Sequence, residues 1–141
     1  MKISSRIAKK NILIVEDSTS MRHTIKASLR LQGFNSLIEA GDGQQALKLM
    51  KSKKVNLIIC DWMMPNMTGI QLFEHMQADD KYKNLPFVLL TGNDQTDNVT
   101  EALELGIKHY VVKPFNPQKL SEKVCDLLEE QSNKKIEEVS S

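Results

Sequence analysis

Four short apolar runs, each followed at once by a polar side chain, constrain the fold of this chain more than any other feature. The runs occupy residues 12–15, 57–60, 87–90 and 110–112, and the polar residues that follow them are Glu16 with Asp17, Asp61, Thr91 and Lys113. Continuous apolar runs of this length are typical of strands that are buried on both faces, as in a parallel sheet. Because ligands bind beyond the carboxyl ends of the strands in open parallel sheets, these polar groups predict one shared site.

Helical patterns lie between the runs, and this alternation predicts a parallel sheet with right-handed crossovers. A weaker strand is expected at residues 36–40, where Glu39 interrupts the apolar pattern. The sequence therefore predicts an α/β domain with five strands and five helices, the fourth helix running from about Asp94 to Leu105. The residues expected on the buried faces of the helices are Met21, Ile25, Leu29, Ala46, Leu47, Met50, Ile70, Phe73, Met76, Val99, Ala102, Leu103, Leu120, Val124, Leu127 and Leu128.

Local signals mark the ends of several of these helices. Thr68 and Gln71 have the spacing of a capping box, which predicts a helix start at this point. Asn116 followed by Pro117 predicts another start, because asparagine caps well and proline suits the first helical position. Gly106 is expected to end the fourth helix.

Length and charge indicate one domain that does not rely on a general electrostatic field for its partners. The 141 residues carry a formal net charge of +1, which does not favour binding to nucleic acid. We expect a flexible segment at 1–10, one folded domain at 11–130 and a flexible tail at 131–141. No run is long enough to span a bilayer, and Cys60 and Cys125 form no disulfide framework, so a cytoplasmic protein without membrane insertion is expected.

Three carboxylates would meet at one edge of the sheet if the first and third strands are neighbours. Glu16, Asp17 and Asp61 cannot all stay ionised at short range unless a pKa rises or a cation binds. Carboxylate oxygens in an open site suit a hard ion such as Mg²⁺.

The remaining two polar endings complete a possible receptor for a phosphoryl group. Lys113 adds an ammonium group and Thr91 a hydroxyl, and a carboxylate among such groups can act as a nucleophile that forms an acyl phosphate. Taken singly, each residue has an ordinary structural explanation, such as a turn, a helix cap or a solvated charge. Their joint occurrence at the ends of four buried strands favours a site.

These residues resemble those of a known family, the receiver domain of bacterial two-component response regulators, and most closely its chemotaxis members. The resemblance covers about residues 11–130 and implies a doubly wound, flavodoxin-like (β/α)5 fold with strand order 2-1-3-4-5. The motifs that carry it are Glu16-Asp17, Asp61-Trp62-Met63-Met64-Pro65, Gly69, Thr91 and Lys113-Pro114-Phe115.

The resemblance also implies a role for each carboxylate. Asp61 would accept a phosphoryl group from the phosphohistidine of a histidine kinase. Asp17, Asp61 and the backbone carbonyl of Met63 would hold Mg²⁺, with Glu16 acting mainly through a bound water.

Lys113 and Thr91 would bind the phosphoryl group, and the Lys113-Pro114 peptide bond would be cis. Thr91 and Tyr110 look like a switch pair, in which movement of the threonine makes room for the tyrosine ring and remodels a binding surface.

Three positions depart from the commoner family pattern. Glu16 replaces an aspartate and lengthens the side chain by one methylene. Met63 and Asn93 border the path of a water that would attack the phosphorylated Asp61, so the dephosphorylation rate does not transfer from the family.

The resemblance implies a single-domain signalling and binding module rather than a multiple-turnover enzyme. Its partners would be a histidine kinase, a flagellar motor switch protein and a phosphatase, and the module itself would be monomeric. A phosphorelay shuttle or phosphate sink is the alternative within this class.

Two enzyme or ligand-binding alternatives come from other classes. A Mg²⁺-dependent phosphohydrolase could also form an aspartyl phosphate, but such enzymes usually carry an acid two residues after the nucleophile, where this chain has Met63. Residues 41–46 fit a dinucleotide fingerprint, with Asp61 at the expected distance, although the preceding strand is the weakest. We interpret this segment as a turn capped by Asp42.

Overall fold

A five-stranded parallel sheet forms the centre of the computed structural model, which describes residues 3–92 and 96–140. The strand order is β2-β1-β3-β4-β5, and each neighbouring pair is parallel. Both features confirm the expected fold class. The strands are β1 (Asn11–Val15), β2 (Ser36–Ala40), β3 (Leu57–Asp61), β4 (Phe87–Gly92) and β5 (His109–Lys113).

Helices cover both faces of the sheet and give a three-layer sandwich. In the described residues they are α1 (Ser5–Ala8), α2 (Thr19–Leu31), α3 (Gly43–Ser52), α4 (Gly69–Gln77), α5 (Thr96–Glu104) and α6 (Pro117–Ser140). Buried side chains of α3, α4 and α5 pack with one face of the sheet, and those of α1, α2 and α6 pack with the other. No helix in the described ranges has both the length and the apolar character needed to cross a membrane.

The predicted helix caps are present in the structure. Thr68 and Gln71 form both hydrogen bonds of the capping box at the start of α4. At the start of α6, Asn116 Oδ1 accepts hydrogen bonds from the backbone amides of Gln118 and Lys119, at 2.8 Å and 3.2 Å. These caps fix the points at which two helices leave the edge of the sheet that carries the predicted site.

Burial agrees with the predicted pattern at the centre of the sheet and differs at its edge. The apolar runs of β1, β3 and β4 are buried on both faces, as expected. The same expectation is wrong for β5, where Tyr110 is 36% and Val112 38% exposed. An edge strand has a neighbouring strand on one side only, and the helices incompletely cover the face of β5 that carries Tyr110 and Val112.

The helix faces also agree with the prediction except in α5. Ala102 is buried, but Leu103 is 51% exposed, so its predicted inward orientation is wrong. The predicted start of this helix at Asp94 lies outside the described residues, as does Asn93. Gly106 has a φ of +102° just after the helix, as expected for a residue that ends it.

Both of the segments expected to be flexible, 1–10 and 131–141, contain helical residues. Residues 5–8 form the short helix α1, and Ile7 is fully buried among side chains of α2 and α6. Helix α6 continues without a break from Pro117–Ser140. A four-residue helix is too short to show a periodic pattern, so sequence periodicity could not detect this packing.

Candidate functional site

The carboxyl ends of β1 and β3 bring three carboxylates together. Val15 is in register with Cys60, so the next residues, Glu16 and Asp61, emerge side by side. One carboxylate oxygen each from Glu16, Asp17 and Asp61 lies within 4.8 Å of the others. The predicted acidic cluster is therefore present in the structure.

Asp61 sits at the centre of this cluster and is held by two donors. The side chain is buried, and its Oδ1 accepts a hydrogen bond from the Trp62 amide at 2.9 Å. The Lys113 Nζ lies 2.7 Å from the same oxygen. Lys113 reaches Asp61 from the end of β5, where its peptide bond to Pro114 is cis, as the resemblance implies. The two donors orient the carboxylate, because charge-assisted hydrogen bonds are short and directional.

Glu16 is buried with one oxygen unsatisfied. The residue is 2% exposed, and within the described ranges Glu16 Oε2 has no hydrogen-bond partner. Burial, followed by the neighbouring Asp61 carboxylate, raises the pKa of Glu16 to about 8, although Lys113 acts in the opposite direction. The ionised form of Glu16 therefore requires additional positive charge in the site.

The three carboxylates fit a hard divalent cation. They supply only oxygen ligands, and the exposed Asp17 leaves the site open on the solvent side, which suits an ion that keeps several waters. The unsatisfied Glu16 oxygen would gain a partner in such an ion or in a water bound to it. Met63, the predicted carbonyl ligand, lies in the loop after β3 with its side chain 60% exposed.

Thr91 presents a second unsatisfied polar group at the same edge. The residue is 1% exposed, and its Oγ1 has no hydrogen-bond partner among the described residues. Leu90 is in register with Asp61, so Thr91 stands one residue beyond that pair, at the end of β4. Buried hydroxyls are almost always bonded, so an unpartnered one at a site indicates a missing ligand or water.

Tyr110, the other predicted switch residue, lies on the strand next to Thr91. Thr91 is in register with Val112, two residues along β5 from Tyr110, so the two side chains project from the same face of the sheet. The tyrosine is 36% exposed, whereas the threonine is buried. The pair therefore joins the interior of the site to the protein surface.

A glycine allows α4 to start against the end of β3. The Gly69 amide donates to the Trp62 carbonyl oxygen at 2.8 Å. A Cβ atom at this position would collide with the Asp61 carbonyl oxygen. Gly69 is thus required by the close approach of the helix to the site.

The dinucleotide alternative does not fit residues 41–46. The Asp42 side chain accepts a hydrogen bond from the Gln45 amide at 2.8 Å and caps α3, as interpreted from the sequence. Beside Gly43, the position of a Cβ would lie 2.6 Å from the Met67 sulfur. That side chain fills the space over the helix start, so a pyrophosphate could not approach the backbone there.

Sequence reasoning missed two basic residues of α2, one of which contacts the backbone of the acidic cluster. Arg22 on α2 donates to the backbone oxygen of Glu16 at 2.6 Å and to the Glu39 carboxylate at 3.1 Å. Lys26 also contacts Glu39, at 2.8 Å, and these two cations lower the pKa of Glu39, Lys26 having the largest effect. The signal in the sequence was an acidic residue inside a strand, which was taken only as an interruption.

The fold and the site together define a class of protein: a doubly wound α/β domain with an acidic pocket and a lysine at the carboxyl ends of its strands. A profile of the response regulator receiver domain matches residues 12–125. The chain belongs to this family.

Relatives and solved structures agree with this assignment. Chemotaxis protein CheY of Pseudomonas aeruginosa is 42% identical over 118 residues, which cover 84% of this chain and 95% of that protein. Chemotaxis protein CheY1 of Helicobacter pylori is 38% identical over 114 residues, covering 80% and 92%. The expected similarity to the chemotaxis regulators is confirmed.

Structural similarity extends over the same region. The Francisella response regulator 1452 receiver domain has a TM-score of 0.78 at 29% identity and covers 87% of this chain and 99% of that chain. The chemotaxis response regulator CheY4 of Vibrio cholerae has a TM-score of 0.76 at 29% identity, covering 84% and 98%.

Proposed function

We propose that this chain is a response regulator that accepts a phosphoryl group on Asp61 from a histidine kinase. The observation that carries the proposal is the geometry of Asp61, whose Oδ1 is held by the Lys113 ammonium at 2.7 Å inside a cluster of three carboxylates. Because Oδ1 already accepts two hydrogen bonds, the other carboxylate oxygen is the nucleophile. It forms a bond to phosphorus while the bond from phosphorus to the donor nitrogen breaks.

The residues around Asp61 have distinct tasks in this transfer. Glu16, Asp17, Asp61 and the Met63 carbonyl would hold Mg²⁺, which when bound neutralises charge on the phosphoryl oxygens. The Lys113 ammonium pairs with the Asp61 carboxylate before transfer and can pair with the phosphoryl group afterwards. The buried hydroxyl of Thr91 donates a hydrogen bond to a phosphoryl oxygen and thereby gains the partner that it lacks.

Trp62 fluorescence tests this proposal, because its ring is buried directly after Asp61 and is the only tryptophan. We expect Mg²⁺ to quench the emission and acetyl phosphate to change it further. Asp61→Asn should abolish the second change. Asp42→Asn, which alters a helix cap outside the site, should retain it. An unchanged phosphate response in Asp61→Asn would refute the assignment of the acceptor.

The output proposed for this signal is binding to a flagellar motor switch protein in chemotaxis. The support is the similarity to CheY proteins and the exposure of Tyr110 beside the buried Thr91. The proposed module is monomeric and cytoplasmic, and a phosphatase would end its signal. A phosphohydrolase is disfavoured because Met63 has no proton to donate.

Tyr110→Ala tests the switch separately from phosphoryl transfer. We expect the variant to accept phosphate at nearly the wild-type rate, since the Tyr110 ring is partly exposed and the Asp61 side chain is held by Trp62 and Lys113. Binding of the phosphorylated variant to the motor switch protein should weaken roughly tenfold, as for loss of an interface aromatic residue. Tyr110→Phe is the matched control, and equal binding by Tyr110→Ala and wild type would contradict the switch role.

A further inference from the structure

One guanidinium group joins the acidic cluster to the second strand and the first long helix. Arg22 on α2 donates through Nη1 to the Glu16 backbone oxygen at 2.6 Å and through Nε to Glu39 Oε1 at 3.1 Å. The Arg22 side chain is 17% exposed and that of Glu39 32%. We call this pair of contacts the Arg22 bridge.

The Arg22 bridge completes the backbone hydrogen bonding of Glu16, the first residue of the acidic cluster along the chain. The Glu16 amide donates to the Ala40 carbonyl at 3.0 Å, which continues the pairing of β1 with β2. The Glu16 carbonyl accepts from Arg22, so both backbone groups of this buried residue have partners. The peptide unit that joins Glu16 to Asp17 is therefore held through its carbonyl oxygen by the Arg22 guanidinium.

Glu39 orients the guanidinium in this position. Ile14 is in register with Glu39 across β1 and β2, so the carboxylate projects from the strand beside the one that carries the cluster. A guanidinium is planar and its donors point in fixed directions, so one group can contact Glu39 and the Glu16 carbonyl together. The ammonium of a lysine is a single point and cannot reproduce both contacts from the same place.

We propose that Arg22 is a positioning residue for the cation site, an inference that rests on the proposed function. Arg22 does not contact the cation or the phosphoryl group. It fixes the peptide that carries Glu16 and Asp17, and the loss of this support lowers the affinity for Mg²⁺.

A purely electrostatic effect of Arg22 on Mg²⁺ binding would have the opposite sign to a positioning effect, so the two explanations can be distinguished. Arg22 is a cation near three carboxylates, so its removal should strengthen Mg²⁺ binding if only the electrostatic field matters. Lys26 provides the matched control, because it contacts the same Glu39 carboxylate and its side chain is 18% exposed. Arg22→Lys keeps the charge and loses the bridge, whereas Lys26→Gln loses a charge and keeps the bridge.

The experiment titrates Mg²⁺ against Trp62 fluorescence in wild type, Arg22→Lys, Arg22→Gln and Lys26→Gln at constant ionic strength. We expect both Arg22 variants to bind roughly tenfold more weakly, as is typical for loss of a supporting partner at a metal site. Lys26→Gln should stay within about twofold of wild type, since Lys26 is paired with Glu39 and does not support the peptide that carries Glu16 and Asp17. Unchanged or tighter binding by both Arg22 variants would overturn the positioning role.

Two further measurements keep the result interpretable. Urea unfolding in EDTA establishes that each variant is folded, and the rise in unfolding temperature on adding Mg²⁺ gives a second readout of affinity. Absence of Mg²⁺ binding by the wild-type protein would refute the proposed function itself. Normal wild-type binding with unaffected Arg22 variants would refute only the Arg22 inference.

Discussion

Glu16 shows at the scale of one residue why the proposed cation suits this site. Its carboxylate is buried beside Asp61 and Asp17, and one oxygen has no partner among the described residues. Burial raises the pKa of Glu16 to about 8, so in the cation-free protein this carboxyl group is mainly protonated near neutral pH. A divalent ion would replace that proton, and cation binding should therefore strengthen as the pH rises.

The stability of the cation-free protein should fall with rising pH because of Glu16. Its pKa in the folded state is about 8 and its ordinary value is 4.5, so the stabilising contribution of the protonated form is complete below about pH 4.5. It is lost progressively as the pH rises towards 8, and we expect a decrease of about 2 kcal/mol in the free energy of unfolding between pH 6 and pH 8. Urea unfolding in EDTA measures this decrease.

Glu16→Gln is the variant that assigns this pH dependence. It should lose most of the decrease and should be more stable than wild type at pH 8 in EDTA. Glu74→Gln, on the exposed face of α4, should retain the wild-type profile. If Glu16→Gln followed the wild-type curve, another group would be responsible.

The sequence predicted the location of a site residue correctly where that residue directly follows or ends a strand. Asp61, Thr91 and Lys113 stand at strand ends, and the parallel sheet brings them to one edge whatever the details of packing. Arg22 and Glu39 depend instead on how α2 packs beside β2. The sequence shows a basic residue on a helix and an acidic residue in a strand, but it does not show that the two side chains are in contact.

At the scale of elements, the start of α4 determines the shape of the site next to Asp61. The helix approaches so closely that Gly69 has no room for a side chain, and the Thr68 capping box fixes its first turn. Sequence identified the cap, because capping depends on neighbouring residues. The close approach to Asp61 is a tertiary contact, and Gly69 was identified from the sequence only as part of the family resemblance.

Gly69→Ala should destabilise the protein and disturb the acceptor. The added Cβ would overlap the Asp61 carbonyl oxygen, which belongs to the backbone and cannot rotate away. We expect a loss of about 2 kcal/mol in urea unfolding, as for overpacking in a core, together with slower phosphorylation.

Gly41→Ala is the matched control for this prediction. A Cβ there would meet the flexible Gln45 side chain at 3.5 Å, an ordinary contact distance. The control should therefore change the unfolding free energy by less than about 0.5 kcal/mol. Equal stability of the two glycine variants would contradict the close approach of α4.

Exposure at the ends of elements was predicted less well than their existence. β5 has the apolar run of a buried strand, yet its edge position leaves Tyr110 and Val112 partly exposed. Leu103 has helical spacing but faces solvent. Periodicity locates an element, while the neighbours of that element decide how much of it is buried.

At the scale of the whole molecule, the amino-terminal end contributes to the core. Ile7 packs with buried residues of α2 and α6, and α6 extends well beyond the last residue of the predicted domain. Polarity led to the expectation of flexible ends, because a four-residue helix is too short to show a period.

Ile7→Ala should destabilise the protein by about 3 kcal/mol, the usual cost of emptying a fully buried aliphatic site. Urea unfolding measures the change, and Arg6→Ala, at an exposed position of the same helix, is the control. A difference between the two variants below about 0.5 kcal/mol would mean that the segment contributes little to the fold.

The central claim is that the topology of the whole sheet makes Asp61 a phosphoacceptor rather than a catalytic group of a turnover enzyme. The most direct measurement counts the phosphoryl groups bound per chain after incubation with radiolabelled acetyl phosphate and Mg²⁺. We expect close to one group per wild-type chain, almost none in EDTA and none in Asp61→Asn. Equal labelling of Asp61→Asn, or sustained release of many phosphates per chain, would contradict the account.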